Sequence, residues 1–268
     1  MSRRAAPLLI AALLLLVPRG PARAGLADRI GATFGLMANE FVKAFQPIEG
    51  LVVGIDGAGM YLDVGESAGG QIGQEFTIYR PGEPFYHPRT GRLLGHFEDV
   101  LGQAQVRRVQ PQFSEAVFVP AEGAPPPRRA DGARITRGRI TVAVAPVLDL
   151  TGADADTRRV PFLLATALEG SKRFQVADPL TVGDLFANGA VRVEEMLARP
   201  ERAIRAAKSL DVAGWVVPVL LERRGVTYLD VTWISSITGT ALFSRRQPLL
   251  RESGAEEQRF PWEPRVED

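Results

Sequence analysis

Residues 60–80 read MYLDVGESAGGQIGQEFTIYR, and the way this stretch folds decides what the chain can be. Gly65-Glu66-Ser67-Ala68-Gly69 fits the G-x-S-x-G string found around the nucleophile of many serine hydrolases. That chemistry needs a strand, a strained turn, and a helix whose N-terminus helps build the oxyanion hole. Here MYLDV supplies the strand, but GQIGQEFT follows. Glycines at 69, 70 and 73 would each cost a helix about 1 kcal/mol, and Phe76, Ile78 and Tyr79 favour a second strand. The two histidines, His87 and His96, lie shortly after Ser67 and within the same run of short strands. The stretch therefore predicts strand, turn, strand, with Ser67 in the turn and no nucleophile.

Outward from it, period-two patterns with frequent glycine continue over residues 47–119. LVVGI, GMYLDVG, EFTIYR, AQVRRV and EAVFV are short strand candidates, separated by turn chemistry at DGAG, AGGQIG and PRTG. Several short antiparallel strands in so short a span predict a small β-barrel domain. GIDGAG, residues 54–59, is a hairpin turn rather than a phosphate loop, because a strand and not a helix follows it. Before this domain, Leu26, Ile30, Phe34, Met37, Phe41 and Phe45 fall on one face of a helix, so residues 25–46 read as amphipathic. Such a stripe packs on its own domain or docks a partner.

After the barrel, residues 120–138 hold three consecutive prolines and several arginines and read as a linker. Residues 139–250 then alternate strand and helix: RITVAVAPVLDL, a helix near 159–170, RFQVAD, helices near 180–188 and 200–209, and the strands AGWVVPVLLER, VTYLDVTWISS and TALFSRR. The outline is βαβαβββ, an α/β sandwich. The fold class expected is α+β, a small antiparallel β-barrel followed by that sandwich, with a loose charged tail over 251–268.

The N-terminus has the three parts of a signal peptide: Arg3 and Arg4, an apolar run from Leu8 to Val17, and Ala22-Arg23-Ala24 as an A-x-A site, with cleavage expected before Gly25. The run is too short to span a bilayer of about 30 Å as a helix, and no later membrane span is expected. Loss of Arg3, Arg4, Arg19 and Arg23 turns a formal net charge of +1 into −3. Nucleic acid is not an expected partner of such a chain. With no cysteine, there is no disulfide, thiolate site or lipid-bearing Cys. A soluble, periplasmic protein is expected.

Candidate site residues are few. DLTGADADT places Asp149, Asp154 and Asp156 between a strand and a helix, where α/β folds put ligands. The spacing of a calcium loop is missing, and capping explains acids at a helix start equally well. His87 and His96 could face each other across a hairpin, but no third metal ligand is set by the spacing. Phe85 and Tyr86, with Tyr79 and Phe97, could stack on sugars or pack in the core. No metal or cofactor is expected.

GLVVGIDGAGMYLDVGESAGGQIGQEFTIYR, HPRTGRLLG and GQAQVRRVQPQFSEAVFV together resemble the C-terminal domain of the flagellar assembly T protein. ITVAVAPVLDLTG, LEGSKRFQVAD, AKSLDVAGWVVPVLLE and YLDVTWISSITGTAL resemble the α/β module shared by the N-terminal region of the Tol translocation protein B and the curli secretion channel family. The order of the modules is the reverse of that in the flagellar protein, and the lipid-bearing Cys and membrane hairpins of the curli channel are absent, so no pore is implied. Both resemblances imply a non-enzymatic protein that assembles or stabilises a cell-envelope structure of flagellar or secretion type. The partner implied is an envelope protein complex. The alternative is a module that binds peptidoglycan or another envelope polysaccharide.

Overall fold

The computed structural model describes residues 25–57, 59–153 and 156–251. The expected signal peptide, its cleavage site, Asp154 and the tail from 252 onward lie outside them. The fold is mixed α+β and contains two sheets.

The first sheet is antiparallel and closes on itself. Its strands are β1 (Ile48–Asp56), β2 (Gly59–Leu62), β3 (Glu75–Tyr86), β4 (Leu93–Val109), β5 (Ser114–Pro120) and β6 (Gly132–Ile135), paired round a ring in the order β1-β2-β5-β4-β3-β6. Alternation along these strands sends Val52, Met60, Leu62, Phe76, Ile78, Leu101, Ala104 and Val106 inward, where they fill the ring with side chains. β6 is a departure from expectation. Residues 132–135 belong to the stretch read as linker, yet they pair antiparallel with both β1 (Ile48↔Ile135) and β3 (Ile78↔Ala133) and close the ring. Four residues beside a proline run carry too short a pattern to announce a strand.

The second sheet has the order β12-β11-β10-β7-β9, with β8 pairing β10 to one side. Its strands are β7 (Ile140–Val144), β8 (Leu148–Asp149), β9 (Phe174–Val176), β10 (Gly214–Arg223), β11 (Val226–Ser235) and β12 (Ala241–Pro248). β7 runs parallel to both β9 and β10, while β10, β11 and β12 form an antiparallel meander. Helices α2 (Val160–Gly170), α3 (Pro179–Ala187), α4 (Val193–Ala198) and α5 (Pro200–Leu210) fill the crossovers. The short α4 was not foreseen. Ala143, Trp215, Val217 and Ile234 face α3, α4 and α5, and Val142, Val144, Val216, Leu229, Val231 and Trp233 face the opposite way.

That opposite face is covered by α2 and by α1 (Leu26–Ala44), which precedes the ring in sequence. Ile30, Phe34, Met37 and Phe41 are fully buried against it, and Phe45 meets Phe174 edge-on and Trp233 at a tilt in a three-ring cluster. Each such side chain contributes roughly 1.5–3 kcal/mol by leaving water. The apolar stripe therefore neither docks a partner nor packs on the ring beside it. The chain leaves the second unit after α1, builds the ring, and returns at β7. Among the described residues no helix is long and apolar enough to cross a membrane.

Two chain crossings thus join the units, and one side chain holds both. Arg173 is buried (8% exposed) and donates from Nε to the carbonyl of Phe45 at the outgoing crossing. From its terminal nitrogens it donates to Gly138 and, at 2.7 Å, to Thr136 on the return. Burial lowers its pKa, but an arginine titrates so high that it stays charged. The units also approach at Gly73, whose φ is +89°, and a Cβ there would sit 1.9 Å from the Leu242 carbonyl oxygen.

Candidate functional site

Ser67 lies in a single 3-10 turn, Glu66–Ala68, closed by Gly69 at φ +85°. Its hydroxyl donates to the Pro111 carbonyl at 2.7 Å, so it is not free for water as a plain turn would leave it. Crowding, rather than a positive φ, demands glycine at 70: a Cβ would lie 2.9 Å from the carbonyl oxygens of Val64 and Gly65. Ser67→Ala removes one exposed hydrogen bond and should cost about 0.5–1 kcal/mol, read by urea unfolding. It should leave any p-nitrophenyl ester turnover unchanged; turnover that depends on Ser67 would contradict its assignment as a turn residue.

The histidines do not converge on a ligand. His87 Nδ1 accepts from the backbone N–H groups of Arg89 and Thr90, closing a turn, and His96 Nδ1 contacts the Gly82 carbonyl at 3.2 Å. The acidic loop is not gathered either. Asp149 Oδ1 accepts from the Thr151 N–H and hydroxyl, while its Oδ2 is shielded from solvent without a partner among the described residues. Asp156 is bound by the Arg158 guanidinium and N–H, which hold its carboxyl well below the usual range. It does not cap α2, whose N-cap is Arg159; the capping aspartate is Asp178, at α3. Among the described residues no three His, Asp or Glu side chains are grouped to hold a metal ion.

A largely apolar cleft of about 270 Å³ with a few polar groups opens between the ring and the second sheet, lined by Phe45, Glu75, Thr77, Gln103, Arg134 and Trp233 among others. Glu75, the first residue of β3, accepts a 2.7 Å hydrogen bond from the Ser235 hydroxyl at the end of β11. Burial pushes its carboxyl up from 4.5 to about 7, against the opposing pull of that hydrogen bond and of the Arg107 charge. Beside it, Gln105 Nε2 reaches Thr240 Oγ1 at 3.5 Å while its Oε1 is buried without a partner. Gln74 Nε2 donates to the Ala44 carbonyl at the end of α1. The sequence shows Glu75 only as the polar residue opening a strand, and no local signal says that a second sheet will cover it.

Phe85 and Tyr86, the sequence candidates for stacking, sit on the part of the structure that stands furthest from expectation. EFTIYR and AQVRRV were read as short strands. In the structure β3 and β4 run on past the ring as a ribbon. β3 pairs with β6 only over Thr77–Tyr79, and β4 pairs with β5 only from Gly102. Beyond those points, Arg80 to Tyr86 and Leu93 to Val100 pair only with each other, around the turn that holds His87 and Gly91. The root of this arm is fixed by charge. Arg80 grips the buried Asp131 with two 2.8 Å bonds, and Arg134 pairs with Glu98 while lying over the Tyr79 ring. Along the arm Phe85, Tyr86, Leu93, Leu94, Phe97 and Val100 are all exposed, Phe97 by 64% and Tyr86 by 56%. Phe85 packs on Phe97, ring centroids 5.1 Å apart.

No family model matches the chain, and no curated protein matches it. Among solved structures it is similar to the LpoB C-terminal domain from Escherichia coli, at 13% identity and a TM-score of 0.36, over 43% of this chain and 86% of that one. The same domain from Salmonella enterica gives the same values. Lipoprotein GNA1162 from Neisseria meningitidis is similar at 15% identity and a TM-score of 0.33, over 42% of this chain and 81% of that one. None of these three is a flagellar or Tol protein.

Proposed function

We propose that this chain is a non-catalytic protein of the cell envelope, exported by its N-terminal signal, that assembles or stabilises an envelope structure through protein–protein contacts. The observation that carries the reading is the β3–β4 arm. A two-stranded ribbon is marginal in water by itself, and this one exposes six apolar side chains along its length. Exposed apolar patches of this kind mark interaction surfaces. The ring beneath it, a small barrel in this reading, is a filled and rigid base. Engagement of the Ser67 hydroxyl by Pro111 and of both histidines by local backbone supports a role without catalysis or cofactor.

A photo-crosslinking residue in place of Phe97 should trap discrete envelope proteins in cells, and one in place of Glu122, in the connection between β5 and β6, should not. Equal labelling at both positions, or none at either, would overturn the reading. Exposure of the Tyr86 ring favours a second reading, in which the arm stacks on envelope polysaccharide. Sedimentation with insoluble peptidoglycan that is lost in Tyr86→Ala would select that alternative.

A further inference from the structure

The arm carries a charge order as well as an apolar belt. At its tip are Arg89 and Arg92, midway along it is Glu83, and at its root is Asp99, across the ladder from Arg80 and felt by that guanidinium. None of Arg89, Arg92, Glu83 and Asp99 forms an ion pair among the described residues. Between the two ends lie Phe85, Tyr86, Leu93, Leu94 and Phe97. Basic tip, apolar middle and acidic root form a pattern complementary to itself when reversed. Two copies laid antiparallel along a two-fold axis bring each tip beside the other's root and each belt against the other's belt.

The backbone selects the edge. Among the described residues both sides of the ribbon beyond the ring are unpaired, which is a template for another strand. On β3, Pro81 and Pro84 remove two N–H groups from that side. β4 has no proline between Leu93 and Val100, so its edge is the one able to extend the sheet. A strand paired antiparallel with its own copy also satisfies the two-fold.

We propose that the outer edge of β4 in the arm pairs with the same edge of a second copy of this chain, forming a four-stranded β3-β4-β4-β3 sheet in which the Arg92 of each copy meets the Asp99 of the other. This inference rests on the arm being a contact surface and names one of its partners. An anionic membrane would also suit a basic, aromatic tip, but the carboxylates of Glu83 and Asp99 behind that tip would repel it.

Sedimentation velocity of the purified chain should show a dimer at concentrations on the order of 100 µM, within the range that interfaces of this kind reach. Phe97→Glu, at an exposed position, should abolish it with an unchanged circular dichroism spectrum. Arg92→Glu and Asp99→Arg should each weaken the dimer at least tenfold, since each sets like charges together at both ends. Mixed in equal amounts, these two variants should associate again, because in the mixed pair every tip and root carries opposite charge. A monomeric wild type, charge variants that dimerise like the wild type, or a mixture that does not recover would each overturn the proposal. So would a monomer that floats with phosphatidylglycerol vesicles through Arg89 and Arg92. A monomeric wild type whose Phe97 position still crosslinks to other envelope proteins would sink this inference and leave the assembly reading standing.

Discussion

Arg173→Ala should lower stability by about 3 kcal/mol. Three carbonyls, those of Phe45, Thr136 and Gly138, accept from its guanidinium. Truncation strands the Phe45 carbonyl, whose bond is buried, at about 1–3 kcal/mol, and removes two further part-buried charge-assisted bonds, to Thr136 and Gly138, that water replaces in part. Part of that cost is offset because a desolvated charge is removed as well, and burial already lowers the pKa of this group. For a chain of this size the change corresponds to a fall in melting temperature of roughly 6–12 °C. Arg173→Lys should recover little, since one ammonium cannot serve three carbonyls spread over two crossings in the plane of a guanidinium. A loss below about 0.5 kcal/mol for Arg173→Ala, as for ordinary surface changes, would show that the crossings do not depend on it.

The second large effect is a dependence on pH at Glu75. Its pKa rises on folding, from 4.5 to about 7, so between those values the folded chain holds more proton at this site than the unfolded one. Stability from this group is therefore complete below about pH 4.5 and declines as pH rises through 7. The decline is at most about 3 kcal/mol, and less if water enters the cleft. Glu75→Gln keeps an oxygen to accept from Ser235 and cannot ionise. It should match the wild type near pH 4.5 and exceed it by about 2–3 kcal/mol at pH 8, measured by urea unfolding at each pH. If the variant is equal or weaker at pH 8, the buried carboxyl is not what the geometry makes it. An ionised Glu75 also sets a charge between the ring and the β11 end of the sheet, so alkaline conditions should loosen this contact first.

Much of this architecture is written in local pattern. The spacing of Leu26, Ile30, Phe34, Met37, Phe41 and Phe45 announces α1, and the glycines around Ser67 exclude a helix there. Where α1 goes is not local. Its sheet is made of residues that come long after it, and a stripe of phenylalanines looks the same whatever it covers. β6 was hidden for the same reason: Gly132–Ile135 becomes a strand because β1 and β3 flank it. The arm falls between the strand candidates EFTIYR and AQVRRV because Pro81, Gly82 and Pro84 break the strand pattern, yet pairing with β4 carries β3 through them. Of the site residues, Phe85 and Tyr86 were visible as aromatics and their exposure was not. Asp149 and Asp156 were visible as acids, but the structure gives Asp156 to Arg158 rather than to a shared site. Glu75 and Arg173 owe their character to a neighbouring unit, which no window of sequence around either one contains.

The excursion of the chain between α1 and β7 also fixes an order of manufacture. Whether the chain emerges from the ribosome or on the far side of the membrane it is expected to cross, α1 comes first, then the ring, and only afterwards the strands that α1 must cover. The apolar face of the first helix therefore waits for its sheet until the chain has emerged as far as β12. The ring, whose first and last strands lie side by side, can close during that wait. The earliest helix to be made is thus among the last pieces to be covered.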